Sequence, residues 1–112
     1  MDDIKRIMTI QINNLTKLSF NVYKNQHWAQ QKAFKDDLRL LVYNSTKESF
    51  KGGYMLYFQF YFKGKKLDTI NVSHYCKIIE DKLFTQDKDN RRICIDVFKG
   101  NENKCILELT KI

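Results

Sequence analysis

The sequence predicts a single α+β domain, a mixed β-sheet with two helices in the order β-α-β-α-β-β. Three observations predict it. The chain has 112 residues, the size of one compact core. Segments with the two-residue period of a strand alternate with segments of the 3.6-residue period of a helix. Hydrophobic residues make up 43% and charged residues 29%, which is enough apolar surface for a core and too much for a disordered tail. There is no Pro, no internal repeat and no low-complexity stretch, so residues 1–112 read as one continuous unit.

The first strand is Met8-Thr9-Ile10-Gln11-Ile12-Asn13, where apolar and polar residues alternate. A polar connection runs through Lys24. The segment from Gln26 to Tyr43 then sets Trp28, Phe34, Leu38, Leu41 and Val42 at helical offsets, with Lys32, Lys35, Asp36 and Arg39 around them. Lys51-Gly52-Gly53 breaks the chain. Tyr54 to Phe62 is an aromatic-rich strand, closed by Lys63-Gly64-Lys65-Lys66. From Ile70 to Phe84 the helical period returns, with Val72, Cys76, Ile79 and Leu83 in one stripe and Asp68 or Thr69 able to cap its start. Thr85 to Asn90 is a polar loop. Arg92 to Phe98 and Cys105 to Leu109 are strands flanking Lys99 to Lys104, which reads as a hairpin.

Composition narrows the function. No stretch reaches the roughly 18 apolar residues of a membrane helix, and Met1 to Arg6 lacks the apolar centre of a secretion signal. The expectation is a soluble, cytoplasmic protein with no membrane contact. Cys76, Cys94 and Cys105, spaced by 18 and 11 residues, form neither a metal clip nor a balanced disulfide set and read as buried reduced thiols. Zinc through His27 and His74 lacks the usual paired spacing. The glycines form neither a P-loop nor a dinucleotide fingerprint, so no nucleotide cofactor is expected. Twenty Lys and Arg against thirteen Asp and Glu give a net charge of +7, an excess that attracts polyanions.

Position decides what the charge is for. At 100° per residue, Asn71, His74, Lys77 and Asp81 share the polar face of the second helix, opposite its apolar stripe. Asp68 stands before that helix and Asp89 follows it. Asp68, Asp81 and Asp89 gathered around one helix would form a negative site suited to Mg²⁺, which takes one or two carboxylates and keeps waters for a phosphate. The plainer reading makes Asp68 a cap, pairs Glu80 and Asp81 with lysines, and leaves Asp87 and Asp89 in a solvated loop. Lys63, Lys65, Lys66, Lys77, Arg91 and Arg92 bracket the acids, as phosphate-binding side chains would. Candidate nucleic-acid contacts are Asn21, Lys24, Lys63, Lys65, Lys66, Asn71, His74, Arg91 and Arg92. On the aromatic strand, Met55, Tyr57, Gln59 and Tyr61 face away from the core and could stack bases or contact a protein.

Three stretches together carry a resemblance. They are Leu18-Ser19-Phe20-Asn21-Val22-Tyr23-Lys24 with His27-Trp28; Lys66-Leu67-Asp68-Thr69-Ile70-Asn71 with Lys77 to Leu83; and Asp87-Lys88-Asp89 before a strand. In this order they resemble the RusA-type Holliday-junction resolvases, small phage and prophage endonucleases of DNA recombination and repair. The resemblance implies a homodimeric hydrolase that binds branched DNA and cuts it with Mg²⁺ or Mn²⁺. It assigns metal roles to Asp68, Asp81 and Asp89, and places Lys77 in the catalytic site. Three positions depart from the family pattern: Ile70 stands where a second aspartate is usual, Lys77 comes a few residues late, and Lys88 replaces the first of an Asp-Asp pair. Alternatives are therefore a catalytically weakened or inactive DNA-binding protein of the same fold, and a protein-interaction domain using the aromatic strand.

Overall fold

Leu56, Phe58, Phe60 and Phe62 alternate along one strand and are each at most 1% exposed, which marks a strand with neighbours on both sides and a covered face. The computed structural model describes residues 5–112, with side chains from Met8 onward, and bears this out. The elements are β1 (Lys5–Ile12), α1 (Phe20–Tyr23), α2 (Trp28–Ser45), β2 (Tyr54–Lys63), a 3₁₀ turn (Thr69–Val72), α3 (Ser73–Leu83), a second 3₁₀ turn (Asp87–Asp89), β3 (Arg92–Gly100) and β4 (Lys104–Lys111). The fold is α+β, with one mixed sheet ordered β1-β4-β2-β3. Among the described residues, no helix is long and apolar enough to cross a membrane.

The expected hairpin does not form. β4 lies antiparallel between β1 and β2, and β3 pairs with β2 in parallel, from Met55 opposite Arg92 to Lys63 opposite Gly100. The short link from β3 to β4 instead passes the end of β2, where the Asn103 side chain accepts from the Lys63 backbone N–H at 2.8 Å and its carbonyl accepts from Leu15 N–H at 2.9 Å. Burial explains the choice. Inserting β2 between the two puts its four largest apolar side chains in the middle of the sheet, where Leu107 and Leu109 pack with them.

Helices α2 and α3 supply the covering layer, through Phe34, Leu38 and Val42 on one and Tyr75, Ile79 and Leu83 on the other. Trp28, expected in the α2 stripe, is 70% exposed. It is the first residue of the helix, ahead of the turn that meets the core, and lies beside the His27 ring at 5.6 Å. The polar connection holds an unpredicted turn of helix, α1, whose N-cap Ser19 accepts from Val22 N–H at 3.2 Å. Cys94, expected to be buried, is exposed, while Cys76 and Cys105 are buried. Its position on an edge strand, turned away from the helices, accounts for the difference.

Tyr75 ties the layers together. Its ring lies 5.4 Å from Phe34 and 5.5 Å from Phe60, and its hydroxyl donates to the Thr16 carbonyl while accepting from Leu18 N–H. That pair of bonds fastens the stretch between β1 and α1 onto α3. Tyr75→Phe should retain the ring packing and orphan two backbone groups, lowering stability by about 1–3 kcal/mol in urea denaturation; an unchanged midpoint would show that the anchor is dispensable.

Candidate functional site

Parallel pairing of β2 with β3 fixes where the candidate residues go. The chain leaves β2 at Lys63 and re-enters the sheet at Arg92, opposite Met55, so the crossover starts at one end of the sheet and finishes at the other, about 26 Å away for eight strand steps. Asp68 lies near its start and Asp89 near its finish. The predicted convergence of Asp68, Asp81 and Asp89 is therefore not what the fold produces. Asp68 lines a cleft with Lys17, Lys65, Lys66 and Asn71, Asp81 a groove with Lys35, Arg39 and Lys77, and Asp89 a hollow with Gly53, Arg91 and Lys111. Among the described residues, no three His, Cys, Asp or Glu side chains are grouped to hold a metal ion.

A different acidic cluster forms instead. Lys77 Nζ lies 3.2 Å from Asp81 and 3.3 Å from Asp87. Asp81 first, then Asp87, raises the Lys77 ammonium above its ordinary range, and Lys77 with Asp81 holds the Asp87 carboxyl low. Just below, burial raises the Glu80 carboxyl, opposed by the Asn90 amide that donates to it at 2.8 Å. Asp87 is the member that the sequence did not single out as a ligand. It lies ten residues beyond Lys77, and only the folding back of residues 84–90 brings the two together.

That folding back is stitched by backbone. Phe50 N–H donates to Leu83 O at 2.8 Å, Thr85 N–H to Phe50 O at 2.9 Å and Gln86 N–H to Lys51 O at 2.7 Å. A Cβ on Gly52 would lie 2.2 Å from Gln86 O, so the close approach requires glycine. Asn90 completes the stitch by accepting from Tyr54 N–H at 3.0 Å.

The basic candidates divide between the two ends. In the cleft at the β2 exit, Lys17 Nζ donates to Lys63 O at 3.1 Å and Lys66 makes a long contact to Val97 O at 3.5 Å, while neither these lysines nor Lys65 forms an ion pair with a described residue. The cleft encloses about 310 Å³. Asn71 on its wall accepts from Asn21 N–H at 3.1 Å, so both candidate asparagines are held there. Asp68 precedes the 3₁₀ turn but its side chain makes no capping bond. Lys24 is exposed, with its ammonium 5.8 Å from the Phe20 ring. Arg91 lies at the far end, and Arg92 lies on the sheet beside Tyr57, Cys94 and Asp96.

His74, expected on the polar face, is only 4% exposed. Its ring stacks on Tyr23 at 4.9 Å and lies 5.3 Å from Phe34, and neither nitrogen has a partner at hydrogen-bonding geometry. Burial lowers its pKa from 6.5 to about 4, with a weaker opposing pull from the Leu18 backbone. It is a neutral core residue beneath α1, not a phosphate contact.

Because the folded value lies below the ordinary one, the unfolded chain binds the proton first, and stability present above pH 6.5 is lost as pH falls toward about 4. The urea midpoint should drop across that window, and less steeply in His74→Phe; equal slopes would mean that other groups carry the dependence. No protein-family model and no curated protein matches this chain.

Proposed function

We propose that the domain binds DNA through its phosphates, with branched DNA as the form it selects. The observation that carries the reading is the cleft of Lys17, Lys65 and Lys66. Three ammonium groups without ion-pair partners among the described residues meet one carboxylate there, on a chain of net charge +7. Lysines held against backbone carbonyls are partly ordered in advance, and each phosphate they neutralise releases counterions. The likeness of the Ser19-Phe20-Asn21 and Asp68-to-Asn71 stretches to RusA-type resolvases supports the choice of four-way junctions and of a homodimer that would present two such clefts to them.

A second reading, Mg²⁺-dependent phosphodiester cleavage, is favoured by one observation: Asp81 and Asp87 share the ammonium of Lys77. The triple of Asp68, Asp81 and Asp89 does not fit a cation. The pair Asp81 and Asp87 does, since hydrated Mg²⁺ needs only one or two carboxylates. A bound ion would supply water activation and neutralise charge on the scissile phosphate. Lys77 would then be released from the pair to contact a phosphate oxygen. Glu80, buried and bonded to Asn90, would stay outside the pair.

Two measurements separate these readings. Lys66→Ala should weaken binding to a four-way junction and reduce the slope of log affinity against log salt by about 1; an unchanged slope would remove this cleft from the interface. For cleavage, single-turnover nicking with Mg²⁺ or Mn²⁺ should fall by about two orders of magnitude or more in Asp87→Asn while junction binding stays level or tightens. Equal nicking by parent and variant would remove Asp87 from the chemistry, and none by either leaves a binding protein without cleavage. Loss of salt-dependent binding altogether would favour a protein-interaction domain.

A further inference from the structure

Helices α2 and α3 pack on one face of the sheet, and among the described residues no layer covers the other. On that open face the register sets three side chains in a row across the strands, Lys104 of β4 opposite Tyr61 of β2 and Tyr61 opposite Phe98 of β3. They form a column. The Lys104 ammonium lies 5.5 Å from the centre of the Tyr61 ring, and the Tyr61 and Phe98 rings stack at 5.1 Å with 25° between their planes. Because β3 pairs only with β2, no strand of the sheet stands beyond Phe98. Its ring is 39% exposed and makes no second ring contact with a described residue. The column therefore ends at the sheet edge on an aromatic ring without a stacking neighbour on its outer side.

The charges at this end state what would stack there. Lys63 lies two residues along β2 from Tyr61, Lys99 follows Phe98, and Lys66 Nζ reaches the carbonyl of Val97, the residue before Phe98, at 3.5 Å. None of these lysines, nor Lys104, forms an ion pair with a described residue. Two acids are near in sequence. Glu102 lies in the link to β4, and Asp96, two residues before Phe98, accepts from the Tyr57 hydroxyl at 2.5 Å. An aromatic ring among cations fits a ligand that carries flat rings and anions in turn, and single-stranded nucleic acid is such a ligand, with one base and one phosphate per nucleotide. A duplex offers its phosphates and keeps its bases stacked on one another. An apolar peptide would gain nothing from the ammonium groups.

We infer that Phe98, backed by Tyr61 and Lys104, is a stacking platform for an unpaired base of DNA whose phosphates are held by the lysines around it. The column adjoins the basic cleft at the exit of β2: Lys17 of that cleft donates to the Lys63 carbonyl, and Lys66 both lines the cleft and contacts β3 beside Phe98. The inference rests on the DNA-binding reading and deepens it. Phosphate contacts alone do not tell a paired strand from an unpaired one, whereas a stacking platform selects nucleotides whose bases are free, as they are in a single-stranded segment that leaves a branch point.

The test uses the full chain and three fluorescent DNAs: a blunt duplex, the same duplex with a short single-stranded thymidine overhang, and that overhang with abasic sites in place of its bases, which keeps every phosphate. In anisotropy titrations the parent should bind the thymidine overhang about tenfold more tightly than the abasic one. Phe98→Ile, which keeps strand propensity and apolar bulk without the ring, should bring that ratio close to one and leave affinity for the blunt duplex within about twofold, which also reports that the variant is folded. Phe98→Tyr should keep the ratio. A parent that binds both overhangs equally, with duplex binding still salt-dependent, would overturn this inference alone and assign the open face to a protein contact. A ratio unchanged in Phe98→Ile would also overturn it. Binding to none of the three DNAs would overturn the DNA-binding reading together with it.

Discussion

Parallel pairing of β2 with β3 is the constraint on which the arrangement depends. Strands that run the same way cannot be joined by a tight turn, so residues 64–91 must travel the length of the sheet to return. That journey is what creates α3 as a covering helix and gives Tyr75, Ile79 and Leu83 a sheet face to bury against. It also sends Asp68 to one end and Asp89 to the other, and leaves the acidic cluster to whichever carboxylates flank the end of α3. A β2–β3 hairpin would have left no room for this helix between the strands, and β3 would have lost its place at the edge.

The periodicities made the elements legible and left their pairing open. Tyr54 to Phe62 was readable as a core strand because aromatics alternate, and Phe34, Leu38 and Val42 were readable as a helix stripe because they recur every four residues. Which strand lies beside which is decided by long-range burial that no local window contains. The short, turn-like stretch between Phe98 and Cys105 suggested a hairpin, yet the demand of β2 for neighbours on both sides outweighed it. His74 failed for a related reason. Helical arithmetic placed it with Asn71 on a polar face, but residues 69–72 wind as 3₁₀ at three residues per turn, which rotates Asn71 relative to α3. The α1 turn, masked by polar neighbours, then covers the His74 side with Phe20 and Tyr23.

The candidate site was legible in its residue types and not in its grouping. Lys77 and Asp81 are four apart on one helix, and their pairing follows from that spacing. Asp87 joins them only because Phe50 and Lys51 bind the backbone after α3, because Gly52 admits the close approach of Gln86, and because Asn90 bridges Glu80 to the start of β2. These are contacts between segments more than thirty residues apart for Phe50, Lys51 and Tyr54. Each is unremarkable in sequence, and together they set the distance between two carboxylates.

The same fold explains how a chain with excess positive charge keeps part of it available. Several acids are spent on nearby groups: Asp36 on Lys32 and Arg39, Asp81 and Asp87 on Lys77, and Asp96 on the Tyr57 hydroxyl. All but the last lie along α2 or around the end of α3. At the exit of β2, by contrast, Lys17, Lys65 and Lys66 face a single carboxylate across a cleft, and backbone carbonyls orient Lys17 and Lys66 without neutralising them. A carbonyl fixes an ammonium at the cost of little charge, whereas a carboxylate fixes it and cancels it. Positive charge is thus left available where the crossover begins, as it is around Lys88, Arg91 and Lys111 in the hollow containing Asp89 at the opposite end of the sheet. The crossover that keeps Asp68 and Asp89 apart is therefore the same feature that separates the cleft of Lys17, Lys65 and Lys66 from the cluster of Asp81 and Asp87 on Lys77.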